Sequence, residues 1–178
     1  MKRFALTAGL SVAVLFLFIA VIRASHGSSA AAQPIGCTAP EHRQFDFWLG
    51  DWDVFEVNGG AKVARTHVDS ILNGCVLQES YEDGTGYKGE SFTIYDASRK
   101  VWHQTWVTNR GKLLVIEGTL RSGEITLTGT DRQDGSERIV RGVWKPAEGG
   151  IRETAVISTY AGATWKPWFD LMFRPHKP

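Results

Sequence analysis

Ser122-Gly123-Glu124-Ile125-Thr126-Leu127-Thr128-Gly129-Thr130 is a turn followed by strict alternation. Ile125, Leu127 and Gly129 fall on one side, and Thr126, Thr128 and Thr130 on the other. Period two, opened by a Ser-Gly turn, marks a half-buried β-strand. The same grammar extends in both directions. Upstream, Asn109-Arg110-Gly111 turns into residues 112–120, after candidate strands at 101–108, 87–96, 75–81 and 61–70. The earliest strand, from Trp52 to Val57, ends at Asn58-Gly59-Gly60. Downstream, Asp134-Gly135, Gly149-Gly150 and Ala161-Gly162-Ala163 introduce strands over 136–145, 151–159 and 164–174.

About ten short strands joined by tight turns favour antiparallel neighbours. The composition, 19 Gly but only 6 Pro, suits such a chain. A long meander must close or leave open edges, and closure removes the edges. The expectation is an all-β, up-and-down antiparallel barrel; a two-sheet sandwich is the alternative. Before the strands, Phe45, Trp48 and Leu49 recur at helical spacing within residues 41–49, and Gly50 ends the segment. This predicts a short helical plug at one end of the barrel.

The first residues read as an address. Met1-Lys2-Arg3 is followed by an apolar stretch from Phe4 to Ile22, and Ala30-Ala31-Ala32 offers a small-x-small cleavage site. Residues 1–32 are therefore expected to be an export signal, 33–40 a flexible lead and 41–178 the barrel domain. An uncleaved inner-membrane anchor is the alternative, and the only membrane contact expected. Either way the folded part is expected to be periplasmic or secreted. In such a compartment the only two cysteines, Cys37 and Cys75, are expected to pair. Without Lys2, Arg3 and Arg23, 17 basic residues face 19 acidic ones. With no basic run, this gives no footprint for nucleic acid. No Cys-x-x-Cys or His-x-His pair is present, and neither a metal nor a cofactor is expected.

Alternation also nominates a site. Trp102, Gln104 and Trp106 share one face of their strand; Leu77, Glu79 and Tyr81 share another; so do Ile139, Arg141 and Val143, and Ile151, Glu153 and Ala155. Glu79, Gln104, Arg141 and Glu153 each interrupt an apolar or aromatic row. Buried charges are costly unless paired, so inward-facing side chains would pair as Glu79–Arg141 or Glu153–Arg141, with Gln104 bridging. The candidate ligand-binding residues are Glu79, Gln104, Trp102, Trp106 and Arg141, around an apolar or aromatic ligand bearing a carbonyl or carboxylate. The alternative is that some rows face solvent or only fix register, and that the tryptophans are core. Three functions follow: a small-molecule-binding protein; an isomerase, cyclase or hydrolase using Glu79 as acid or base; or an envelope interaction module with a filled barrel.

The run Arg43-Gln44-Phe45-Asp46-Phe47-Trp48-Leu49-Gly50-Asp51-Trp52-Asp53-Val54 resembles the opening motif of an uncharacterised family of exported bacterial proteins, domain of unknown function 1579. The likeness continues through Gly74-Cys75-x-Leu77-x-Glu79, Gly89-x-Ser91-Phe92-x-x-Tyr95-Asp96, Trp102-x-Gln104-x-Trp106-Val107 and Gly162-x-Thr164-Trp165. Thr108 stands where the family pattern has an Asp. The resemblance implies a lipocalin-like or calycin-type barrel, and Gly50-x-Trp52 is similar to the lipocalin opening. It implies no activity.

Overall fold

Ten strands follow one another around a closed cylinder: β1 (Gly50–Glu56), β2 (Lys62–Ile71), β3 (Val76–Asp83), β4 (Lys88–Asp96), β5 (Val101–Thr108), β6 (Leu113–Arg121), β7 (Glu124–Gln133), β8 (Ser136–Ala147), β9 (Gly150–Ser158) and β10 (Lys166–Pro175). Each pairs antiparallel with its sequence neighbours, and β1 pairs with β10 to close the ring. This computed structural model describes residues 37–133 and 135–177. The expected export signal and the start of the lead lie outside the described residues. Among those described, no helix is long and apolar enough to cross a membrane.

The barrel is built by the alternation seen in the sequence. On β7, Ile125 and Leu127 are fully buried and stand inward, with their threonine neighbours outside. Neighbouring backbones approach closely where β6 and β7 carry glycine. A Cβ on Gly118 would lie 1.8 Å from the Thr126 carbonyl oxygen, and one on Gly129 would lie 2.0 Å from that of Val115. Only glycine permits that approach between neighbouring backbones.

The predicted plug is present, as two 3-10 turns, Pro40–Arg43 and Asp46–Trp48, rather than one continuous helical turn. Phe45, between them, is fully buried and stacks on Trp48 with centroids 5.2 Å apart. It meets the edges of Trp102 and Trp144 at 5.6 and 5.7 Å. Trp52 donates its indole N–H to the Trp48 carbonyl at 3.0 Å, and Trp102 donates to Gln44 Oε1 at 3.1 Å. Aromatic packing thus seals this end, with hydrogen bonds fixing the ring orientations.

Cys37 and Cys75 form a disulfide that ties the plug's leading segment to the start of β3. Arg43 reinforces the junction by donating from its guanidinium to the Gly74 carbonyl. With a sequence separation of 38, the cross-link is worth roughly 3–4 kcal/mol by loop-closure entropy. Replacing both cysteines with serine is expected to lower stability by about that amount, measured by denaturant unfolding, while leaving the barrel's far-UV signal intact.

Candidate functional site

Opposite the plug, the barrel encloses a cavity of about 360 Å³ that opens at its other end. Its lower wall is Trp48, Trp144, Val140 and Phe173; its middle carries Glu79, Gln104, Ile116, Glu153 and Ala155. Towards the mouth stand Tyr81, Tyr87, Trp106, Trp168 and Phe169, with Glu56 and Leu114.

Glu79 is 6% exposed and sits on β3 directly opposite Ser91 of β4. Ser91 Oγ donates to its Oε2 at 3.0 Å, and Thr66 Oγ1 lies 3.1 Å from its Oε1. Thr66 Oγ1 is also 3.0 Å from the Ser80 carbonyl oxygen. A hydroxyl has one proton to give, so it cannot donate to both acceptors. The arrangement is satisfied when Glu79 carries a proton on Oε1, donates to Thr66, and Thr66 donates to Ser80. Burial pushes the Glu79 pKa up to about 7; when the carboxyl ionises, Thr66 can turn its proton to it, and the Ser91 and Thr66 hydroxyls then pull the other way. Neither lysine nor arginine lines the cavity to offset it.

Glu153, on β9, faces Glu79 from another wall of the lumen. Its carboxyl is driven well above the ordinary range by burial, and the Glu79 charge adds to the shift. The Trp144 indole lies beside it, since Trp144 and Glu153 are register partners. Its N–H nevertheless makes no hydrogen bond of normal geometry among the described residues. The Tyr81 hydroxyl is likewise pushed up to about 12, chiefly by burial. Gln104, 5% exposed, donates its amide N–H to Thr93 Oγ1 at 3.1 Å. The Trp106 indole occupies the space beside Gly89, where a Cβ would meet it at 2.1 Å. The missing side chain on β4 is what lets this ring stand against the wall.

Of the residues nominated from sequence, Glu79, Gln104 and Trp106 come together in the cavity, and so does Glu153. Trp102 does not. It is 1% exposed, packed against Phe45 and Tyr95, and belongs to the sealed end. Arg141 corrects the expected ion pair. Val140, Gly142 and Trp144 form the buried row of β8, so Arg141 stands on the outer face with its guanidinium 4.0 Å from the Trp165 ring centroid. It cannot neutralise Glu79 or Glu153, and it cannot receive a carboxylate inside the barrel.

Several contributors were not anticipated. Thr66 and Ser91 hold Glu79, and the clue was the small polar row Gly89, Ser91 and Thr93 alternating with Phe92 and Ile94. Asp131, read as part of a turn, lies near the end of β7 and is fully buried. Burial alone would raise its pKa, but hydrogen bonds from Lys112 and Arg138 outweigh that and hold it below the usual carboxylate value. His103 lies outside the cavity lining, bonded to Glu117 Oε1 at 2.8 Å and Thr105 Oγ1 at 2.9 Å. Among the described residues, no group of three or more His, Cys, Asp or Glu side chains is placed to hold a metal ion.

Fold and site together define a closed β-barrel with one sealed end and an aromatic, carboxyl-bearing interior open at the other. Comparison with protein-family models finds no match, and neither does comparison with curated proteins. Function is therefore argued from the geometry.

Proposed function

We propose that the protein is an extracytoplasmic small-molecule-binding protein whose ligand, apolar or aromatic in its body, enters the barrel interior. The observation that carries this reading is the cavity of about 360 Å³, walled by aromatic rings and reached from the end away from the plug. That volume lies in the range of small-ligand sites, and a few polar groups among apolar walls are the usual means of orienting a ligand. The Cys37–Cys75 disulfide is consistent with an extracytoplasmic compartment. The sequence resemblance to exported proteins supports the same placement. An unfilled interior counts against the interaction module with a solid barrel.

The reading is tested by titrating delipidated protein with a neutral hydrophobic probe, N-phenyl-1-naphthylamine, while following tryptophan fluorescence. Saturable one-to-one quenching is expected. It should be abolished in Ala155→Phe, which places a ring in the cavity, provided circular dichroism shows the variant folded. Linear, unsaturable quenching in the wild-type protein would remove the proposal.

A second reading has one specific observation in its favour. Glu79, in a cavity and with a pKa of about 7, is matched to proton transfer near neutrality. An isomerase, cyclase or hydrolase would use it as acid or base. Turnover that follows the ionisation of Glu79 and disappears in Glu79→Gln would establish that role.

A further inference from the structure

The cavity is unbalanced in charge. Three carboxyl groups line it, Glu56, Glu79 and Glu153, and no lysine, arginine or histidine does. Inside, acceptors are left free for a ligand. Gln104 is 95% buried and spends its amide N–H on Thr93; its Oε1 has no partner among the described residues. Glu153 has beside it only the Trp144 indole N–H, whose pull on its carboxyl is outweighed by burial. A ligand meets these acceptors among the rings of Trp106, Trp144 and Tyr81; the free donors beside them, the Trp48 and Trp144 indole N–H groups, are neutral, and no cation balances the carboxyls.

We propose that the cavity takes an organic cation: a protonated amine on an aromatic or apolar body, its N–H groups given to Glu79, Glu153 and Gln104 Oε1. The inference rests on the reading of the cavity as a ligand site and names the class of ligand. Aromatic faces attract a desolvated cation through the ring quadrupole, and carboxylates supply the opposite charge. A bound ammonium also resolves the crowding of the two acids. With it in place both ionise, and the proton held on the pair leaves to solvent. The other titratable groups facing the pair are Tyr81, Tyr87 and Glu56, none of them cationic.

Cations do stand at the mouth, but they are already engaged. Lys112 and Arg138 are bound to Asp131, Arg132 pairs with Glu137 at 3.1 Å, and Arg110 lies 4.9 Å over the Tyr87 ring. The uncompensated charge is inside.

The test uses isosteric probes on two skeletons, benzyl and 2-naphthylmethyl, each as the amine, the alcohol and the carboxylate. Binding to the wild-type protein and to the double variant Glu79→Gln/Glu153→Gln is measured calorimetrically at pH 8. The amine is expected to bind at least tenfold tighter than its alcohol in the wild-type protein and equally to it in the variant. The alcohol should still bind the variant saturably, which separates lost charge from a lost cavity. Amine binding at pH 6.5, in buffers of different ionisation heat, should show proton release that the variant lacks. Alcohol binding as tight as amine, or carboxylate binding tightest, would overturn the cation assignment while leaving the cavity as a ligand site. Failure of all six probes to bind would overturn both.

Discussion

Glu79→Gln is expected to make the protein more stable at pH 8, by about 3 kcal/mol. The glutamine amide reproduces the protonated acid: its N–H faces Thr66 Oγ1, its carbonyl accepts from Ser91, and Thr66 continues to donate to Ser80. What it removes is the cost of a buried carboxyl that must either keep its proton or ionise without a cation beside it. The folded-state pKa of about 7 stands above the ordinary value of 4.5. Between those values the native protein binds more protons than the unfolded chain, so stability falls as pH rises and the penalty is complete above about pH 7. At about 1.4 kcal/mol per pKa unit, the difference amounts to about 3 kcal/mol. Wild type and variant should therefore be nearly equal at pH 4.5 and diverge steadily up to pH 8.

Two other groups shape the wild-type curve in that window. Glu153 acts in the same sense as Glu79. His67, whose pKa is raised by its hydrogen bonds to Asp69 and Asp51, adds stability that is likewise lost as pH rises. Carboxylates with lowered values, such as Asp131, lose their contribution only as pH falls below the ordinary aspartate range. The comparison of the two proteins across pH isolates Glu79. A variant less stable than wild type at pH 8 would mean that the folded protein stabilises the Glu79 carboxylate, so that its pKa is not raised.

Phe45→Ala is expected to cost about 3–5 kcal/mol, the range for removing a fully buried aromatic side chain. Its ring touches Trp48, Trp102 and Trp144, so truncation leaves a void at the junction of the plug with β5 and β8. Guanidinium unfolding measures the loss, and the near-UV signal of the tryptophans should weaken at the same time. A loss below about 1 kcal/mol would mean that the turn rests on the barrel without sealing it.

The strand count was legible because nearly every turn carries Gly, Asn or Asp between short alternating runs. Facing was legible where one row was clearly more apolar, as on β7, or where a polar residue broke an aromatic row, as with Gln104 between Trp102 and Trp106. It failed on β8, where Ile139-Val140-Arg141-Gly142-Val143-Trp144 is apolar on both rows. The outer row is apolar because the segment before β10 covers it: Trp165 lies over Arg141, and Gly162 approaches Ile139. Strand β4 hid its role differently. Phe92 and Ile94 point outward while Ser91 and Thr93 are fully buried, because Glu79 and Gln104 need hydroxyl partners more than the lumen needs apolar area. No periodicity rule anticipates an inversion that depends on residues of adjacent strands.

The closing seam between β1 and β10 has a consequence for biogenesis. It joins the first and last strands, with Val54 opposite Phe173, and is fastened by His176, whose backbone N–H reaches the Asp51 carbonyl and whose ring meets Asp53. Because a chain is made from its N-terminus, β1 waits as a naked edge until β10 emerges, and loop-closure entropy makes that last pairing slow. A nascent molecule is thus a curled ribbon with two adhesive margins, vulnerable to joining a sibling before it joins itself. Fast delivery of the final strand, and few unclosed ribbons present at one time, are what such a topology asks of the cell that makes it.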